Sequence, residues 1–305
     1  MTTHTDSHLS IACGDLEAKI SVLGAELVSL RYRGQELLWQ GDPNYWARQS
    51  PVLFPVVGKV RDGQINVSGK TYPMPQHGFA SISKFESSSR TASNCSLRLT
   101  SSASTHQYYP FDFALTLNYE LSAQGLHISA EVLNPGGGAL PASFGFHPGF
   151  AWPLEPGRSK EEYEVYFPQD TQLKTTRLDS QGALRMERSP LALDGGALAL
   201  EESLFTPSAL IVFDRASEWL EYRPRSGGGL GLKVHTKGLP ELGLWMRPGA
   251  PYLCIEPWHG TADPEIAYGD FSNKPGLAHI EPGQTRVFAI RCEITHHHHT
   301  TKETP

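Results

Sequence analysis

The sequence predicts an all-β fold, a large antiparallel β-sandwich, and three observations carry that expectation. Apolar residues recur with period two along several stretches. Glycine and proline, 29 and 23 of the 305 residues, punctuate the chain at roughly ten-residue spacing, as in sandwiches and barrels. Helical periodicity sustained over three turns is nearly absent, which argues against alternating strand–helix–strand units.

Taken in chain order, Asp42–Arg48 reads as a short helical turn. Asp42 is placed to cap it, and Pro43 sits at the first helical position, where a missing N–H costs nothing. Cys95, Leu97 and Leu99 alternate with polar neighbours and predict a strand. From Phe111 the residues Phe113, Leu115, Leu117, Tyr119 and Leu121 alternate in the same way. Ser122–Gly125 then reads as a turn, and Leu126, Ile128, Ala130 and Val132 resume the alternation up to the Asn134–Gly138 break. Two half-buried strands joined by a tight turn fit this pattern. Leu210–Asp214 is a short apolar run suited to a strand buried on both faces. Val287–Ile294 alternates again. The glycine runs Gly136–Gly138 and Gly227–Gly229 are short enough to be loop tips. With no internal repeat and no linker, residues 1–295 read as a single sandwich domain, followed at 296–305 by a polar, His-containing tail.

Composition limits the function classes. Hydrophobic residues at 39% and charged residues at 19% supply a large core rather than a disordered chain. A formal charge of −6 lacks the basic footprint of a nucleic-acid binder. No Lys/Arg-rich run suits an anionic membrane surface, and no stretch approaches the roughly 18 apolar residues of a membrane span. The N-terminal residues have no basic start followed by an apolar core, so a cytoplasmic protein is expected. Cys13, Cys95, Cys254 and Cys292 lie far apart with no Cys-x-x-Cys pair, which predicts reduced thiols rather than a zinc or redox centre. Nothing in the sequence speaks to oligomeric state.

Three segments depart from ordinary strand sequence: Pro51–Gly63 with Met74–Phe79, Ser143–Phe150, and Tyr252–Gly260. Each sets a titratable residue among aromatics, glycine and proline. His77 precedes Gly78-Phe79, His147 lies between Phe146 and Pro148, and Glu256 follows Leu253-Cys254-Ile255 and precedes Pro257-Trp258. A glutamate at or near a sheet end in a partly apolar setting has a raised pKa, which makes it a usable general base. Plainer roles compete. Glu256 can cap backbone amides, each histidine can be a satisfied core residue, and Lys59 and Arg61 can be solvated loop charges. Gly-x-Ser-x-Gly, the phosphate-cradling lysine loop and His-Glu-x-x-His are all missing. His77, His147, His259 and Glu256 have metal-ligand chemistry. Only Glu256 and His259 are close on one element, so no metal is expected.

At these residues the sequence resembles the aldose 1-epimerase (galactose mutarotase) superfamily, nearest to its hexose 6-phosphate mutarotase-like branch. The likeness is carried by Phe54-Pro55-Val56-Val57-Gly58-Lys59, the Asp62-Gly63 turn, Gln76-His77-Gly78-Phe79-Ala80, Gly145-Phe146-His147-Pro148 and Ile255-Glu256-Pro257-Trp258. It extends from about Ile20 to Ile294. The resemblance implies a β-supersandwich, no cofactor and a small-molecule sugar substrate. It implies Glu256 as general base, His147 as general acid and His77 as a second, sugar-binding histidine. Lys59 stands where arginine is usual, and Ser81 where the phosphate-specific branch often has arginine. The second change removes a phosphate partner. Arg61 and the aromatic walls Phe79, Phe146, Trp245 and Trp258 complete the expected sugar site. A further acidic residue of the family matches no motif here. A non-catalytic sugar binder on the same fold and a polysaccharide-processing enzyme remain alternatives. The latter would need a second carboxylate partnered with Glu256.

Overall fold

The computed structural model describes residues 7–297. Two large antiparallel sheets dominate. One has nine strands, in the spatial order Ala197–Ala199, Tyr163–Tyr166, Trp219–Pro224, Gly229–His235, Thr285–His297, Gly125–Leu133, Ala114–Ser122, Asn94–Thr100 and Glu86–Arg90. The other has eight. Its path runs Ser189–Ala192, Gln172–Thr176, Leu210–Phe213, Glu241–Trp245, Tyr252–His259, Phe144–Phe146 and Val52–Leu53, with Gly149–Ala151 also paired to Tyr252–His259. No helix among the described residues is long and apolar enough to cross a membrane.

The hairpin read from the alternation is present. Ala114–Ser122 pairs with Gly125–Leu133, Leu117 opposite Ala130 and Tyr119 opposite Ile128. The alternate residues Leu115, Leu117, Tyr119, Leu126, Ile128 and Val132 are buried in one continuous core. Each such large side chain contributes about 1.5–3 kcal/mol relative to exposure. Phe144 of the eight-stranded sheet stacks on Phe288 of the nine-stranded one, ring centroids 5.3 Å apart, so the two sheets meet through their inner faces. Leu210–Phe213 is buried on both faces, as its unbroken apolar run predicts.

The short helical turn at Asp42 is present as a single turn, closed by Trp46 N donating to Asp42 O at 2.9 Å and capped by Asp42 Oδ1 accepting from Asn44 N at 2.9 Å. Two features differ from the sequence reading. A separate four-stranded sheet of His8–Cys13, Leu16–Ser21, Leu27–Tyr32 and Gln35–Glu36 packs Leu9, Ile11, Leu16 and Ile20 into the same core. The division between 295 and 296 falls inside the strand Thr285–His297. There His296 pairs opposite Leu230, and its Nε2 lies 3.0 Å from the Tyr32 hydroxyl. His297 Nε2 lies 3.0 Å from Glu221 Oε1. The rest of the predicted tail, 298–305, is outside the described residues.

Candidate active site

Tyr252–His259 is an inner strand of the eight-stranded sheet, with Glu241–Trp245 on one side. On its other side lie Phe144–Phe146 and Gly149–Ala151, which act as one strand interrupted at His147-Pro148. Gly145 opposes Trp258 before the break and Gly149 opposes Cys254 after it. The register is the same on both sides, so His147 falls opposite Glu256. Proline explains the interruption. Neither Pro148 nor Pro257 has an N–H to give the ladder, while Ile255 N still donates to Pro148 O at 3.2 Å. Glu256 thus sits in the interior of a strand, not at the sheet end that the sequence suggests.

Strand alternation then sorts the side chains. Cys254, Glu256 and Trp258 share a face with Gly145, His147 and Gly149 on one neighbour and with Gly243 and Trp245 on the other. The glycines make room on that face. A Cβ on Gly145 would lie 2.6 Å from Trp258 Cδ1, and one on Gly243 would lie 2.6 Å from Trp258 Cη2. The indole therefore lies across both glycines as a flat floor. It packs with Leu53, Val57, Leu184, Ile211 and Phe213 in a small apolar cluster separate from the main core.

His147 is buried among three rings, with one edge toward the cleft. Trp46 stacks on its ring with centroids 4.9 Å apart, and Trp245 stands edge-on at 5.8 Å. The His77 ring is 5.6 Å away and nearly perpendicular. His147 Nε2 lies 3.1 Å from Glu256 Oε2. His77 comes from a turn that holds it in the left-handed region, with φ of 66°. The following Gly78 is required there, because a Cβ would fall 2.1 Å from Phe54 O. Gly58 N donates to His77 Nδ1 at 3.1 Å, and His77 N donates to Gly58 O at 2.8 Å. With Nδ1 accepting, the ring proton of neutral His77 is on Nε2.

Burial sets the electrostatics. Desolvation pushes Glu256 well above the usual carboxylate range. Desolvation, with the neighbouring His77 adding, pushes His147 well below the usual imidazole value. His77 keeps part of its ring open to the cleft, and the packing around it still lowers it to about 4. No N–H among the described residues donates a hydrogen bond to the Glu256 carboxylate from elsewhere. Glu256 and His147 are therefore drawn toward a neutral pair with one proton between them.

These groups line a cleft of about 600 Å³. The structure brings His77, His147, Glu256, Trp245 and Trp258 together there. Four other sequence candidates lie elsewhere. Phe146 is on the opposite side of its strand and packs on Phe144 at 5.0 Å, in the core. Phe79 is also a core residue, against Phe54, Tyr109 and Phe113. Lys59 and Arg61 line a neighbouring groove. Lys59 Nζ reaches Gln181 O at 3.4 Å, and Arg61 Nη2 donates to Pro264 O and Glu265 O at 3.1 and 2.8 Å. His259 faces away from Glu256 and packs on Phe288, which breaks up the four-residue metal set.

The cations of the cleft are Arg48 and Arg247, both missed by sequence reasoning. Each stands two residues after a tryptophan that walls the site, Trp46 and Trp245, and that spacing was the available signal. Arg48 Nη2 donates to the backbone oxygen of Ser81 at 2.9 Å, and its Nη1 lies 3.4 Å from the buried Glu26. The guanidinium thus reaches the position where the resemblance expects an arginine. Glu256 is the one carboxylate among the lining residues, so no second family acid lies in this cleft.

Known proteins agree with this architecture. The LacX protein of Lactococcus lactis subsp. lactis is 27% identical over 280 residues, 88% of this chain and 93% of that protein. The crystal structure of a galactose mutarotase related enzyme from Lactobacillus acidophilus superposes with a TM-score of 0.88 at 30% identity, covering 98% of this chain and 99% of that one. A galactose mutarotase-like protein from Lactobacillus casei superposes with a TM-score of 0.86 at 26% identity, covering 94% and 100%. The family model for aldose 1-epimerase matches residues 7–193. With the sandwich and its histidine–glutamate cleft, these matches place the chain in the aldose 1-epimerase family of isomerases.

Proposed function

We propose that the cleft interconverts the α and β anomers of an aldohexose by general acid–base ring opening. The observation that carries this reading is the 3.1 Å approach of His147 Nε2 to Glu256 Oε2, with burial driving the two groups' proton affinities together. Moving the shared proton from Glu256 to His147 creates a base and an acid side by side. Glu256 takes the proton of the anomeric hydroxyl while His147 delivers one to the ring oxygen. The C1–O5 bond breaks and the C1 carbonyl forms. Rotation about C1–C2 and the reverse transfers then close the ring on either face. His77, donating from Nε2, holds a sugar oxygen. Trp258 and Trp245 offer flat apolar walls to the ring. Each proton transfer is worth about 10² to 10⁴-fold.

Polarimetry on fresh α-D-glucose and α-D-galactose tests the reading. Catalysis predicts equilibration faster than in buffer. Sugar binding seen by NMR without faster anomer exchange would instead make the protein a non-catalytic sugar binder. One observation favours a phosphorylated substrate as a second reading. Arg48 and Arg247 line a cleft that holds one carboxylate, and guanidinium groups bind phosphate bidentately. In that case glucose 6-phosphate shows a lower KM than glucose, and Arg247→Ala raises the KM of the phosphate ester alone.

A further inference from the structure

The proton-transfer scheme leaves one buried nucleophile in the active centre unused. Cys254 is two residues before Glu256 on the same face of its strand, and it opposes Gly149. A Cβ on that glycine would stand 3.0 Å from Trp46 Cζ3 and 3.5 Å from the Cys254 sulfur, so the glycine lets Trp46 pack down beside the thiol. The sulfur, an imidazole nitrogen of His147 and a carboxylate oxygen of Glu256 all lie within 4.8 Å of one another. All three residues are buried.

We propose that His147, Cys254 and Glu256 form a zinc site, and that zinc bound there shuts down the cleft. The geometry suits the ion. Zinc bonds of about 2.0–2.3 Å in a tetrahedron set ligand atoms roughly 3.3–3.8 Å apart. The observed 3.1 Å between His147 and Glu256 and the 4.8 Å limit for the set need only small side-chain adjustments. The donors are one nitrogen, one sulfur and one oxygen, a combination that zinc accepts. The fourth position is left for water or a sugar hydroxyl, since His147 and Glu256 open on the cleft. Charge also balances. A thiolate and a carboxylate offset the dication in a buried setting. Binding releases two protons, one from the thiol and one shared between His147 and Glu256, so affinity rises with pH. The ion occupies the nitrogen lone pair and carboxylate oxygen that anomer exchange needs, so it and catalysis exclude each other.

Cobalt(II) is the probe, because a thiolate ligand gives it a near-ultraviolet charge-transfer band. That band reports a cysteine rather than the histidine run His296–His299 of the full chain. The site predicts one equivalent of the band in the wild-type chain, displaced by zinc and lost in Cys254→Ala. His147→Asn should weaken it, which guards against a folding defect particular to the cysteine variant. Zinc should slow anomer exchange in the wild-type protein. In Cys254→Ala, basal exchange should persist and zinc sensitivity should fall by roughly 10²-fold or more, since losing a group that only supports the ligands already costs about 10–100-fold. The inhibition arm rests on the mutarotase reading, whereas the cobalt band stands without it. A missing wild-type band, or a band or zinc sensitivity unchanged in Cys254→Ala, overturns the site.

Discussion

Two buried carboxylates, Asp263 and Glu256, have opposite surroundings. Asp263 is paired with Lys274 at 2.6 Å, and both side chains are almost fully enclosed. Its carboxylate also accepts from Arg61 N at 2.8 Å and from the Tyr268 hydroxyl at 2.9 Å. Glu256 is equally enclosed, but its close polar partner is His147 alone. Asp263 is thus satisfied as an anion from several directions, and it ties the Lys59–Arg61 turn to the segment that follows Tyr252–His259. Asp263 N donates to Lys59 O at 2.9 Å as well. That turn follows Gly58, the residue that holds His77. The comparison teaches that burial alone does not make a carboxylate catalytic. Donors answering every lone pair make a latch, and a single titratable partner makes a proton-transfer pair.

Three experiments break or sharpen this contrast. The largest effect is expected at the latch. Asp263→Ala leaves the Lys274 ammonium buried without its partner, and breaking such a pair costs about 3–5 kcal/mol. A fall in the denaturant midpoint at unchanged slope measures it. A loss much below this range would mean that the latch is dispensable.

The second experiment reverses the pattern. Glu256→Gln keeps the shape but cannot accept a proton. Sugar binding should persist while the maximal rate falls by roughly 10² or more. Its stability should be retained, and it should improve relative to wild type as pH rises. The sign follows from the raised pKa of Glu256. Its contribution to folding is present below the ordinary value of 4.5 and is lost as pH climbs through the raised one. His147→Asn should slow exchange comparably, and the double variant should lose far less than the product, since both residues serve one unit. NMR exchange between anomers at saturating sugar gives the rates. Near-normal exchange in Glu256→Gln would remove its role as base.

The smallest effect concerns His77, which shifts in the opposite direction. Its folded value of about 4 lies below the ordinary 6.5. Its contribution to stability is therefore present above pH 6.5 and lost as pH falls through about 4. His77→Gln should flatten that acid limb in denaturant midpoints, and the ring resonances of His77 should stay neutral until about pH 4. A titration near 6.5 would show that His77 is not desolvated.

By itself the sequence determined the strands, the punctuation between them and the residue types of the site. Alternation is local, so Leu115 to Leu121 and Leu126 to Val132 declare a hairpin without any partner in view. The segments around His77, His147 and Glu256 stood out because titratable groups there interrupt aromatic and apolar runs. Weak or short patterns hid the N-terminal four-stranded sheet and the continuation of the last strand through His297. The tertiary structure decided which way each residue faces. Period two says that Phe146 and His147 point oppositely, but only pairing with a strand distant in sequence says which one meets the cleft. The same pairing set Glu256 opposite His147 at two prolines, and it sent His259 to the core side. Loop packing carried Lys59 and Arg61 into the neighbouring groove and brought Arg48 and Arg247 to the site instead. No local pattern encodes these outcomes, because they depend on which distant backbone pairs in which register.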